Sequence, residues 1–274
     1  MNLTEMFIRL VAALLAVFVA ASAFSQTPAA QYQPKPGQQG KDVVWIPSPD
    51  DMVELMLDMA KVTPKDFVVD LGSGDGRNVI AAAKRGARAL GVEYNPDLVE
   101  LSKRNAAKHG VGERASFVHG DMYEADISQA SVMILFLIPE NLGKLAKKLF
   151  ALKPGTRIVS NTYEIGGGWE PDDEARLPLC LSWCVAHFYV VPASVVGTWT
   201  LSEGVLTLSQ DFQKIDGTFE IGGIRLPVED GRLLGNEVRF TINKVEYAGR
   251  VNGETMEGLA KGRATTTWTA KRAP

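Results

Sequence analysis

Between positions 67 and 191, apolar runs of strand length alternate with stretches whose apolar positions recur every three or four residues. The strand runs are Phe67 to Leu71, Ala89 to Glu93, Ser116 to His119, Val132 to Leu137 and Arg157 to Thr162, with one or two more expected within Pro178 to Val191. Arg77 to Arg85, closed by Gly86, reads as a helix. A second helix opens with Asn95 as cap and Pro96 in the first turn, where a missing N–H costs nothing. Leu142, Leu145, Ala146 and Leu149 mark a further helical face that Pro154-Gly155 ends, while Lys144, Lys147 and Lys148 point to water. Ahead of the first strand, Pro49-Asp50-Asp51 starts a helix carrying Met52, Met56 and Met59 on one face, a spacing that reads as core. Strands alternating with helices predict a parallel sheet covered on both faces. The wholly apolar run Val132 to Leu137 is its expected central strand.

The period changes after Pro192. Gly197 to Leu201, Val205 to Ser209, Gly217 to Ile221, Glu237 to Ile242, Val245 to Val251 and Thr265 to Ala270 are short alternating segments divided by Gly, Asp and Asn. They predict an antiparallel meander, closed or nearly closed into a small barrel. Trp199 and Trp268, in similar Thr-Trp-Thr contexts, suit first and last strands that pair and hide the edges. The expected fold is therefore α/β, a doubly wound and mostly parallel sheet over residues 43–192, followed by a small antiparallel β domain over residues 193–274.

The N-terminal pattern is different again. Arg9, the apolar stretch Leu10 to Ala20 and Ala21-Ser22-Ala23 fit an export signal cleaved after residue 23, which places the mature chain in the periplasm or outside the cell. Glu5 weakens the positive end, so an uncleaved anchor is the alternative; after cleavage no stable membrane span is expected. Residues 24–42, rich in Pro, Gln and Gly, read as a tether. Across all 274 residues, 46% are hydrophobic and 22% charged, enough for one or two cores. A formal net charge of -3 with no dense basic run disfavours a polynucleotide partner. Cys180 and Cys184, if on one strand, have Cα atoms roughly 13 Å apart at about 3.3 Å per residue, so two buried thiols are expected and no disulfide. His109, His119 and His187 are scattered, which predicts no metal site.

The chemistry gathers at Asp70 to Gly76. Gly72, Gly74 and Gly76 follow a strand and precede a helix, the context in which glycines let a backbone approach a nucleoside. Their G-x-G-x-G spacing, with Asp70 and Asp75 beside it, opposes a pyrophosphate and suits a ligand carrying an amino cation. Glu93, with Tyr94 and Asn95 after it, ends the second strand where an acid accepts from ribose hydroxyls. Asp121 follows the third strand, placed to accept from an exocyclic adenine amine while Met122 packs on the ring.

On these residues the chain resembles the class I S-adenosylmethionine-dependent methyltransferases over roughly residues 43 to 191. Asp70 to Gly76, Ser73 included, matches their first motif, Glu93 their ribose acid, and Asp121-Met122 their adenine motif. Trp45-Ile46-Pro47-Ser48-Pro49 together with the Asp70 to Arg77 form is similar to the seven-strand protein-lysine methyltransferases. The resemblance implies S-adenosyl-L-methionine as cofactor, with Pro47 and Ser48 near its methionine moiety. It implies direct in-line methyl transfer to an amine, on a protein, plausibly at lysine, or on a small molecule. It also places the acceptor after the fourth strand, where Glu140 and Asn141 are candidate catalytic residues, with Tyr163, after the fifth strand, as a third candidate that would line the acceptor channel. Glu140 reads equally as a helix first-turn residue. Tyr163 and Trp169 read equally as packing aromatics around Gly166 to Gly168. An exported, non-catalytic nucleoside-binding protein is the competing reading, because this cofactor is made in the cytosol.

Overall fold

The structure is a computed structural model and describes residues 32–273, so the expected export signal and the first part of the tether lie outside the described residues. Part of the expected tether is folded. β1 (Gln38–Gln39) and β2 (Val44–Trp45) pair as a short hairpin. α1 (Asp50–Met59) follows and buries Met52, Val53, Met56 and Leu57, the face that the methionine spacing predicts.

Next come β3 (Phe67–Leu71), α2 (Arg77–Lys84), β4 (Arg88–Glu93), α3 (Pro96–Lys108), β5 (Ala115–His119), β6 (Val132–Leu135), α4 (Pro139–Phe150) and β7 (Arg157–Asn161). β8 (Asp173–Arg176) and β9 (Val185–Val190) complete a seven-stranded sheet of order β5-β4-β3-β6-β7-β9-β8. β3 to β7 run parallel, whereas β9 is antiparallel to both β7 and β8. All four residues of β6 are buried, as expected of a central strand. The chain winds outward from β3 to β5 and then returns to β6, so the strand order reverses between β3 and β6. A crevice opens at the carboxyl ends of strands at such a point.

Two readings change in the β8–β9 region. β8 carries no apolar alternation and was not expected. The Pro178 to Val191 run is not one strand: residues 177–184 form a turn in which Leu179 and Trp183 have φ of 56° and 61°. That reversal brings the Cα atoms of Cys180 and Cys184 to 5.6 Å, and the two form a disulfide in place of the expected free thiols.

β10 (Gly197–Leu201), β11 (Val205–Asp211), β12 (Lys214–Ile221), β13 (Ile224–Leu234), β14 (Glu237–Ile242), β15 (Val245–Asn252), β16 (Thr255–Lys261) and β17 (Thr265–Arg272) form a closed antiparallel barrel. Closure comes from β10 pairing with β17, with Trp199 opposite Arg272, so the two tryptophan-bearing strands do meet. Alternate residues such as Leu206, Phe219, Leu233, Phe240 and Trp268 point inward and fill the interior as a core. The barrel docks on the α/β layer. Phe212, in the β11–β12 turn, stacks on Trp169 at 5.8 Å and meets Phe150 edge-on at 5.1 Å. Arg232 pairs with the nearly buried Asp172 at 2.9 Å across the same boundary.

Candidate functional site: a nucleoside cleft at the strand ends

The loop after β3 is shaped by glycines that no other residue could replace without strain. Gly72, Gly74 and Gly76 have φ of 73°, 57° and 84°, in the left-handed region. A Cβ on Gly74 would lie 2.7 Å from the Trp45 indole nitrogen, and one on Gly76 would lie 2.8 Å from the Phe117 ring. Helix α3 holds the loop from behind: Ser102 Oγ donates to the Gly74 carbonyl, 2.9 Å, and Asn105 Nδ2 to that of Asp75, 2.9 Å. The loop is a preformed cradle, closed on one side by the leader tryptophan.

Acids stand at successive strand ends around it. Glu93 receives the Gly74 N–H on one oxygen and the Asn95 N–H on the other, each at 2.9 Å, which fixes its carboxylate between loop and strand. Asp121 receives the Tyr123 N–H at 2.8 Å, while Lys41 from the β1–β2 hairpin reaches its other oxygen at 2.6 Å. The Lys41 ammonium also lies 4.3 Å from the Tyr94 ring centroid. Asp70 is buried beneath the loop and accepts from Asn78 Nδ2 at 3.0 Å. Burial pushes its carboxyl up to about 8, and the like charges of Glu93 and Asp75 add to the shift. Ser73 Oγ and Asn78 Oδ1 are buried with no hydrogen-bond partner among the described residues. A buried acid that no cation among the described residues offsets, beside unsatisfied polar atoms and a glycine cradle, fits a ligand that brings an amino cation and its own donors.

The cleft is walled by Gly72, Glu93, Tyr94, Asn95, Asp121 and Met122 among the expected residues. Val92, Leu98 and Phe136 add apolar surface, and Lys41, Val43 and Trp45 of the hairpin cover it. The structure does not bring every expected residue to that wall. Asp75 is held by Arg77 through two contacts, Nε–Oδ1 at 3.0 Å and Nη2–Oδ2 at 2.6 Å. The same guanidinium donates to the Ser48 carbonyl at 2.6 Å, so Asp75 and Arg77 anchor the leader. Ser48 is buried and its Oγ lies 3.3 Å from Asn161 Nδ2 at the end of β7, with Pro47 just before it.

On the acceptor side, Glu140 is exposed in the first turn of α4 and pairs with Lys144 at 2.7 Å, which holds its carboxyl below the usual range. That geometry is the helix-stabilising one and suits a proton acceptor poorly. Asn141 is buried and donates to the Tyr123 hydroxyl at 2.9 Å. Tyr163 is half-buried beside Trp183, with ring centroids 6.4 Å apart, and Trp183 meets Phe136 at 5.5 Å. Trp169 is buried between Phe150, Tyr189 and Phe212 and is a packing residue. Lys41, Phe136, Trp183 and Asn161 were not read from the sequence as site residues; Trp45 was, as the first residue of the leader.

Comparison with known proteins agrees with this geometry. A family model described as the ANTKMT methyltransferase domain matches residues 70–173. A protein-lysine N-methyltransferase of Saccharolobus islandicus is 45% identical over 138 residues, 49% of this chain and 85% of that protein. The adenine nucleotide translocase lysine N-methyltransferase of Mus musculus is 36% identical over 121 residues, 43% of this chain and 52% of that protein. Among solved structures, an RNA methyltransferase from Salinibacter ruber in complex with S-adenosyl-L-homocysteine is 40% identical with a TM-score of 0.52. It covers 55% of this chain, and this chain covers 96% of it.

Proposed function

The chain belongs to the class I S-adenosylmethionine-dependent methyltransferases, and from that premise we propose that it methylates the side-chain amine of a protein lysine. The observation that carries the lysine reading is the 45% identity with a protein-lysine N-methyltransferase across 85% of that protein's length. The Salinibacter relative is named for RNA. A phosphate backbone is opposed here by the net charge of -3 and by exposed Glu164 and Glu174 beyond the end of β7.

Within this reading Asp70 faces the cofactor's amino group, Glu93 the ribose hydroxyls, and Asp121 with Met122 the adenine. When bound, S-adenosylmethionine supplies a methyl carbon on a cationic sulfur; the amine lone pair forms the N–C bond as the C–S bond breaks and its electron pair stays on sulfur. The protein's part is alignment and exclusion of water, worth roughly 7 to 11 kcal/mol when geometry is good. Phe136, Tyr163 and Trp183 form the aromatic mouth that guides a methylene stem, and the acceptor's ammonium proton leaves to solvent before transfer. Glu140 is assigned to the helix.

Calorimetry with S-adenosylhomocysteine tests the cofactor assignments: Asp70→Ala and Glu93→Ala are each expected to abolish binding. For the acceptor, the purified chain with S-adenosylmethionine is expected to add methyl groups to protein lysines, read by mass spectrometry. Methylated RNA with unmodified protein would sink the lysine reading.

A further inference from the structure

The β8–β9 hairpin carries its connecting segment to the same edge of the sheet as the cofactor cleft. Thr162, one residue past β7, donates its N–H to the Val185 carbonyl at 2.6 Å, and Leu177 donates to that of Cys184 at 2.9 Å. Beyond that neck the Cys180–Cys184 disulfide closes a small loop. Its two ends differ. Trp183 packs inward on Phe136, a wall of the cofactor cleft, and on Tyr163. Leu179 and Leu181 are 103% and 101% exposed, and so touch almost nothing.

Single exposed leucines need no explanation, but two at the rim of a site do, Leu181 inside the covalently closed loop and Leu179 directly before it. The staple limits the entropy lost when such a loop is ordered against a partner. We propose that this disulfide-closed loop docks the methyl acceptor, and that the acceptor is a polypeptide whose lysine is flanked by apolar residues. The proposal rests on the lysine reading given above. Continuity with the aromatic mouth sets the geometry: Leu179 and Leu181 take the apolar flanks, while Trp183 and Tyr163 bound the path of the lysine stem. Charge selects the partner. The Glu164 and Glu174 carboxylates, beside the neck of the hairpin, lie within 4.8 Å of each other and of the His187 ring. Two exposed acids there repel an anionic lipid surface and attract a cationic segment.

The test uses the full chain and two lysine peptides, alike except that leucines flank the lysine in one and serines in the other. The wild type is expected to show a KM about tenfold or more lower for the apolar peptide. Leu179→Ser combined with Leu181→Ser removes that preference, with kcat and S-adenosylhomocysteine affinity unchanged, because neither leucine touches the cleft. Equal KM values for the two peptides, or a preference that survives in the double variant, overturn the docking role and leave the lysine reading standing. Wild-type sedimentation with vesicles of anionic phospholipid that the double variant loses reassigns the loop to a membrane and overturns it too. No transfer to either peptide, with cofactor-product binding intact, refutes the lysine reading and this inference together.

Discussion

Burial pushes the Asp70 carboxyl up to about 8, and among the described residues no cation offsets it and its one side-chain donor is Asn78. The folded, ligand-free chain therefore keeps a proton that an unfolded chain releases near pH 4, so its stability falls as pH rises from about 4 to about 8 and then levels. A ligand bearing an amino cation favours the ionised form, so binding below pH 8 releases a proton. Affinity for S-adenosylhomocysteine is expected to rise with pH between about 6 and 8, and Asp70→Asn should flatten whatever binding remains. Calorimetry at pH 7 in buffers of different ionisation enthalpy measures the proton directly; identical heats would contradict it. Lys41 is the second informative residue, because it holds Asp121, the carboxylate proposed to accept from the adenine amine. Removing that competitor in Lys41→Ala is expected to tighten S-adenosylhomocysteine binding a few-fold at low salt and less at high salt, since the pair is exposed. Weaker binding would mean that the lysine clasps the nucleoside and does not compete with it. Sequence pattern located Asp70, Glu93 and Asp121 because strand ends are set by local apolar runs. It gave no sign of Lys41, which meets Asp121 only through the folding back of the hairpin.

At the level of elements, the loop between β3 and α2 couples the leader to the cofactor cradle. Gly74→Ala must hold a φ of 57° and place a Cβ 2.7 Å from Trp45. The expected cost is about 1 to 3 kcal/mol, with the leader displaced and S-adenosylhomocysteine affinity reduced; an unchanged melting temperature and affinity would show that Trp45 yields freely. Helices α1 to α4 and strands β3 to β7 were legible because their periods are local, although only α3 has a side-chain N-cap, Asn95. β8, β13 and β16 were not. β13 contains Pro227, a bulge between Glu229 and Arg232, and Asp230 at a φ of 53°, all turn signals inside a strand. β16 holds Gly258, where a Cβ would come 2.0 Å from the Ala248 carbonyl, a close backbone approach that reads as a loop. The disulfide was missed for a related reason: the distance estimate assumed an extended run, and positive φ at Leu179 and Trp183 reverses it.

For the whole molecule, the boundary between the α/β layer and the barrel holds an aromatic stack, Phe212 on Trp169, and an ion pair whose carboxylate, Asp172, is nearly buried. Phe212→Ala removes the stack on Trp169 and is expected to cost about 2 to 4 kcal/mol, splitting a single calorimetric transition into two. A single unshifted transition would show that the barrel adds no stability through this contact. The sequence by itself determined the class of fold and the glycine loop with its three strand-end acids. Those features follow from apolar period, glycine spacing and strand-end position, which are properties of contiguous residues. Only the tertiary structure decided which of the candidates face the cleft, that Asp75 and Arg77 brace the leader, that Lys41 engages Asp121, that the two tryptophan strands pair, and that a disulfide-closed loop packs Trp183 on Phe136. Each of these joins segments distant in the chain or depends on the sense in which a turn reverses, and neither hydrophobic pattern nor composition encodes such a choice.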